Sequence, residues 1–467
     1  MNYDKLILGE GYSYTTNSNK TGLNNNVLVV GGSGSGKTMS VLEARLIETY
    51  NDSLIVSLSK NKLVPKYTKL FEDRGYTVKH ISFANPLAST DFYNPLSYLR
   101  TYGDIKHLAE SIVGMQEKSS NSSADPYWDM IATSLLSAEI GYCLATIRNP
   151  SFVDVLELHD SLQIYEKDYM ISTSLDDKFE LLPEDHFAVK CWRSFRELPI
   201  RTAGSAFSSL NVLLDTLFTP ELRKTMRSRN SIDITEIGQK KSVLFITTSP
   251  VSKSMHGLAN LFISQAIKEL FEYAEEQPTS ALPVSVQFLV DDFACAKIAR
   301  FDEYISIFRE KNISAMLLLQ SESQLAGMYG ERGSATIINN CDSFVFAGGQ
   351  DLMSAHHISE RANVPLEDIL YMPIGTEWIF RRGSKPIKTE RYRITDDEIY
   401  KRATQDYESH LLSTAKEKAS GHRSKTNFFL SSKYKDINDV NDLTQEVEAL
   451  NKKLEKKFDE LFSNLAS

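Results

Sequence analysis

Residues 31–38 read Gly-Gly-Ser-Gly-Ser-Gly-Lys-Thr. Binding a polyanion needs many donors close to one group, and Gly31, Gly32, Gly34 and Gly36 let backbone N–H groups approach with no Cβ in the way, Ser33 and Ser35 completing the loop. Lys37 adds a mobile cation for the β and γ phosphates. Thr38 places a hydroxyl where it can ligate Mg²⁺, and the helix that follows turns its positive end toward the same point. The eight residues therefore point to ATP and Mg²⁺ as cofactors, against the plainer reading of a glycine-rich surface turn.

A phosphate loop alone does not separate hydrolysis from switching, so a second carboxylate is required. Gln287-Phe288-Leu289-Val290-Asp291-Asp292-Phe293 supplies it, because an apolar strand delivers Asp291 and Asp292 at its carboxyl end, where open α/β sheets bind ligands. Asp291 is assigned to the metal shell and Asp292 to positioning or deprotonating the water. The alternative is an Asp-Asp helix cap. The next apolar strand, Ala315 to Leu319, ends at Gln320, an amide that either senses the γ phosphate or bonds its own turn. Arg309, just upstream, is either an arginine finger for a neighbouring subunit's nucleotide or a solvated arginine.

These residues need a sheet to hold them. Val27 to Val30 reads as a buried strand, and the helical segment Met39 to Thr49 follows the loop, which is the context a phosphate loop demands. Further buried strands are expected at Ser53 to Leu58, Thr77 to Phe83, Ser242 to Thr247, Val284 to Val290, Ala315 to Leu319 and Ser343 to Ala347, with a helix near Val64 to Arg74. From about Pro95 to Pro199 helical patterns dominate, Trp128 to Ile147 among them. Past Asp397 the chain turns polar, Ser413 to Lys425 reading as a linker. Leu443, Val447, Leu450, Leu454, Phe458, Leu461 and Leu465 then mark an amphipathic helix that folds back, pairs as a coiled coil or docks a partner.

The expected division is 1–95 for the first part of a nucleotide-binding domain, 96–200 for an all-α insertion, 201–397 for the second part, and 398–467 for linker and terminal helix. At 467 residues and 42% hydrophobic, the chain has material for a large core. The net charge of −9 argues against a surface coated for unspecific nucleic-acid binding, though a local basic channel is compatible with it. Cys143, Cys191, Cys295 and Cys341 are too dispersed for a zinc or disulfide framework, which suits a reducing compartment. His356 and His357 diverge on a helix, which favours an ordinary helix over a metal site. The first residues do not read as a signal peptide, and no apolar run approaches the ~20 residues of a membrane span.

In this order the landmarks resemble the type IV secretion coupling proteins, the TraG/TraD family of conjugation ATPases, among hexameric DNA pumps. The resemblance spans about residues 24–365. It rests on the phosphate loop, Arg74-Gly75-Tyr76-Thr77-Val78 leading to Asn94-Pro95-Leu96, and Asp125-Pro126-Tyr127-Trp128 with Leu135-Leu136-Ser137-Ala138. It continues through Phe288 to Ala294, Ile313-Ser314, Leu319-Gln320-Ser321 and Asn340-Cys341-Asp342. It implies an α/β fold: a RecA-like P-loop NTPase domain with a mainly parallel sheet, interrupted by an all-α domain, plus a C-terminal helical tail. It also implies a homo-hexamer that engages single-stranded DNA and relaxase, delivers them to type IV secretion channel components, and lies at the inner face of the bacterial cell membrane through a separate membrane-anchoring protein.

Two departures stand out. Asp292 replaces the family's Glu and is one methylene shorter. The loop Leu58 to Leu63 keeps Lys60, better read as a solvated lysine, without the usual acids. For Asp125 to Trp128, a helix start with a core tryptophan competes with substrate contact. Two rival functions remain: a translocase of the FtsK/HerA kind acting on duplex DNA, and a docking receptor that nucleotide assembles but scarcely hydrolyses.

Overall fold

The computed structural model describes residues 4–59, 61–115, 126–167, 170–227, 231–249 and 252–420. Lys60, Asp125 and the amphipathic stretch Leu443 to Leu465 lie outside them. The chain divides into two compact units, Met1–Tyr407 and Glu408–Ser467.

The first unit is built on a sheet of nine strands. Two short strands, β1 (Lys5–Gly9) and β2 (Tyr12–Thr15), form an antiparallel hairpin ahead of it. The sheet itself contains β3 (Val27–Val30), β4 (Ser53–Leu58) and β5 (Thr77–Ser82). After a long helical stretch, with its own hairpin β6 (Ile164–Lys167) and β7 (Met170–Thr173), come β8 (Ser242–Thr247), β9 (Val286–Val290), β10 (Ile313–Leu319), β11 (Ser343–Phe346), β12 (Thr376–Arg381) and β13 (Ile387–Glu390). Their spatial order is β13-β12-β11-β3-β10-β9-β4-β8-β5. All neighbours from β11 to β5 pair in parallel, whereas β12 and β13 add an antiparallel edge.

Burial on both faces explains the apolar runs of β3 and of β10 from Ala315 to Leu319, and every residue of both strands is buried. Side chains alternate between faces along a strand. Val27 and Val29 accordingly pack with Val41, Leu42 and Leu46 of the helix after the phosphate loop, while Leu28 and Val30 join the core shared with the helical stretch.

The strands β3, β4, β5, β8, β9, β10 and β11 occupy the expected places to within two residues at each end. Helices Pro126–Thr146 and Leu63–Asp73 likewise match their patterns. Between β5 and β8 helices dominate as far as Thr235–Gln239, past residue 200, and the β6–β7 hairpin sits among them. Residues 398–420 are helical where the polar composition reads as a linker: Ala, Leu, Glu and Lys are strong helix formers even without a core-forming stripe.

Candidate functional site

Strand register assembles the site. Val30 pairs with Leu319, Leu317 with Val290, and Val290 with Ser57, so the carboxyl ends of β3, β10, β9 and β4 stand side by side. The segments that leave those ends are residues 31–38, Gln320, Asp291–Asp292 and Ser59. A short motif and residues more than 250 positions away thus meet at one edge.

The loop turns on Gly34 and Gly36, whose φ angles of +74° and +91° are strained for any residue with a Cβ. It is tied to the neighbouring strand ends, since Gly31 N–H donates to the Leu319 carbonyl at 3.1 Å and Gly32 N–H to the Gly348 carbonyl at 2.8 Å. Lys37 folds its ammonium inward, donating to the carbonyls of Gly31 and Gly32, the latter at 3.0 Å, and to Ser35 Oγ at 3.4 Å. Thr38–Leu42 is a π-helical turn before the α-helix Glu43–Ile47, and Glu43 anchors this segment by accepting from Lys66 Nζ at 2.8 Å and Tyr67 OH at 2.6 Å.

Thr38 Oγ1 lies 3.3 Å and 3.4 Å from the two carboxylate oxygens of Asp291. Asp291 is 7% exposed, and its N–H donates to the Ser57 carbonyl at 3.0 Å. One hydroxyl and one carboxylate at this separation suit Mg²⁺, which keeps several waters and takes further oxygens from phosphate. Among the described residues, no group of three or more His, Cys, Asp or Glu could hold a metal.

Asp292 adopts φ 54°, ψ 44°, in the left-handed region that side chains other than Asn, Asp and Gly rarely enter. Its carboxylate accepts from Ser59 Oγ at 3.0 Å. His256 is near enough for the Asp292 charge to raise its affinity for protons, although burial outweighs this and pushes the imidazole pKa below its ordinary value. Gln320 is exposed at the end of β10, beside the loop. Arg309 is not brought to the site: it lies before β10, at the other end of a seven-residue strand roughly 20 Å long.

The same architecture appears in known proteins. The family model described as conjugative DNA transfer by the type IV secretory system matches residues 3–363. The chain belongs to this family. It is 22% identical to the protein VirD4 of Agrobacterium fabrum over 407 residues, 82% of this chain and 57% of that one. VirD4 of Rhizobium rhizogenes is 23% identical over 344 residues, 71% of this chain and 48% of that one, so the chain spans about half the length of these relatives. The solved conjugative coupling protein TrwB in complex with ADP and Mg²⁺ superposes with a TM-score of 0.57 at 17% identity, covering 79% of this chain and 84% of that one. An unbound TrwB form gives 0.61 at 16%, covering 83% and 88%. Among the described residues no helix is long and apolar enough to cross a membrane.

Several residues with no signature in the sequence are brought here by the fold. Arg391, beyond the segment matched to the family, donates from Nη1 to the Ser35 carbonyl, and a Cβ built on Gly36 would lie 3.0 Å from its Cζ. Ser59 and His256 had no local pattern to betray them. His357, read as part of an ordinary helix, does sit in the helix Leu352–Ala362, and its Nδ1 lies 2.6 Å from the buried Glu322. Trp128, for which a core position and substrate contact were both open, is 39% exposed beside the exposed Tyr127 in the first turn of its helix.

Proposed function

We propose that this chain is the ATP-driven motor of a conjugative transfer system, recruiting relaxase-bound single-stranded DNA and delivering it to a type IV secretion channel. The observation that carries the reading is the approach of Thr38 and Asp291 to 3.3 Å at a phosphate loop, in a chain of the conjugative DNA-transfer family. The TrwB complexes with ADP and Mg²⁺ and with a non-hydrolysable ATP analogue support the same ligands here.

Gly31 to Gly36 cradle the phosphates through their backbone donors, and Lys37 swings from the loop carbonyls to the β and γ phosphates. Thr38 and Asp291 hold Mg²⁺, which when bound neutralises charge on the phosphate oxygens. Asp292, fixed by Ser59, orients the attacking water. Gln320 senses the γ phosphate. Arg309 can act only on a nucleotide held by a second copy of the chain, as in the proposed homo-hexamer with its sites between subunits. Residues 1–95 and 201–397 supply this machinery, 96–200 the helical insertion that meets cargo, and 398–467 the linker and terminal helix. The protein works in the cytoplasm at the inner membrane face, held by a separate membrane-anchoring protein.

Lys37→Ala tests the motor: ATP turnover and DNA transfer are both expected to be abolished, and transfer that persists in this variant rejects the reading. The short side chain of Asp292 favours one rival, a docking receptor with little hydrolysis. ATPase assays with single-stranded and duplex DNA distinguish the possibilities. Stimulation by single strands supports the motor, stimulation by duplex alone points to a duplex translocase, and nucleotide binding without stimulated turnover points to the receptor.

A further inference from the structure

The antiparallel edge of the sheet carries a cation and an acid that the hydrolytic machinery does not use. Arg391 follows β13, and its backbone N–H donates to the Gly375 carbonyl at 2.8 Å, which fixes where the side chain starts. The guanidinium lies on the phosphate loop at Ser35 and Gly36, and the φ of +91° at Gly36 together with the missing Cβ leaves it room. A guanidinium has five donors in a rigid fork, a geometry that matches two phosphate oxygens at once. Lys37 and Arg391 therefore contact the same loop at different carbonyls, from residues 354 positions apart.

Glu377 is the second half. It sits on β12 opposite Thr389 of β13, two positions before Arg391. Its side chain is fully buried, and neither carboxylate oxygen has a hydrogen-bond partner among the described residues. The carboxyl is wedged against β1, since a Cβ built on Gly9 would come within 2.9 Å of its Oε1. Burying an acid without partners is unfavourable, and the Arg391 charge is the attraction that acts on it.

We propose that Arg391 is a nucleotide-contacting residue whose guanidinium, held at the phosphate loop and within the electrostatic reach of Glu377, is drawn by a bound nucleoside triphosphate onto the phosphates and away from that buried acid. The β12–β13 hairpin then reports which nucleotide the loop holds. This rests on the reading of residues 31–38 as an ATP site, and it adds a discriminator between tri- and diphosphate.

Equilibrium titration of the full chain with fluorescent ATP and ADP analogues in Mg²⁺ tests it, with thermal melts confirming that each variant is folded. Arg391→Ala is expected to weaken ATP binding by about tenfold to a hundredfold, the range of one hydrogen bond to a charged group, and ADP binding by less. Arg391→Lys, which keeps the charge, is expected to restore part of the loss and carries the test should the alanine variant unfold. At about pH 9, where the Glu377 carboxyl is ionised, Glu377→Gln is expected to tighten ATP binding several-fold, and to change nothing once Arg391→Ala is also present. Unchanged ATP affinity in Arg391→Ala, equal losses for ATP and ADP, or an equal effect of Glu377→Gln in both backgrounds overturns the proposal. Lys37→Ala is the reference. If the parent binds ATP and Lys37→Ala does not, failure of the Arg391 variants refutes this proposal alone, whereas a parent that binds neither nucleotide removes the site and the proposal together.

Discussion

Glu139 and Glu377 are both fully buried, and the regions that hold them treat them in opposite ways. In the helical stretch, Glu139 lies 2.9 Å from His159 Nδ1, both side chains at 1% exposure or less, so the acid has its partner. At the antiparallel edge, Glu377 has none among the described residues. A closed pair locks a packing arrangement, whereas an acid with no bonded partner depends on a nearby charge that a ligand can draw away. The difference teaches where this fold is built to stay fixed and where it is built to respond.

The largest effect should come from breaking the closed pair. His159→Leu leaves Glu139 buried and alone, which is expected to destabilise the protein by about 3–5 kcal/mol. Replacing both residues with apolar side chains of similar volume is expected to recover most of that loss. Urea unfolding of the single and double variants checks it, and a single variant as stable as the parent would show that the helical stretch does not depend on this pair.

Glu377 should behave in the reverse sense. Burial raises its carboxyl from 4.5 to about 8, against the pull of Arg391. The folded chain therefore keeps a proton that the unfolded chain releases above about 4.5, and stability falls as pH rises from there toward 8. The loss reaches about 3 kcal/mol by pH 7. Glu377→Gln should flatten this slope and be more stable than the parent at pH 7.5, as unfolding midpoints at pH 5, 6.5 and 8 would reveal. An unaltered slope would mean that Glu377 is already paired in solution, and the contrast between the two regions would fail.

The same contrast explains what the sequence could convey. The parallel strands were legible because burial on both faces forces short continuous apolar runs, and residues 31–38 were legible because phosphate chemistry packs its requirements into eight consecutive positions. Asp291 and Gln320 could be found because each ends such a strand. The antiparallel edge offered far less: β12 and β13 are short, carry charges, and enclose Arg382-Gly383-Ser384, a turn that in hindsight announces a hairpin. Arg391 and Glu377 acquire meaning only through the register that sets β13 beside β12, and nothing local encodes it. Likewise, periodicity gives the helix Pro126–Thr146 a face but not which end of it is covered, and Trp128 in its first turn is exposed.

The smallest effect on stability should sit at the site itself. Ser59→Ala removes one hydroxyl, 3.0 Å from Asp292, and a hydrogen bond to a charged acceptor that keeps other solvation contributes about 1 kcal/mol. Asp292 holds a left-handed backbone that Asp tolerates, so the loss should not unfold the turn. What the hydroxyl does is fix one of two rotatable carboxylate positions, and an acid as short as Asp has little reach to spare. Ser59→Ala is therefore expected to lower kcat for ATP about tenfold while leaving nucleotide affinity within about twofold, the split of a group that acts in the transition state and not in ground-state binding. Steady-state ATPase kinetics beside equilibrium titration measure both. Equal losses in kcat and affinity would place Ser59 with the scaffold, alongside His159, and would erase the distinction between a polar group that holds the fold and one that holds the chemistry.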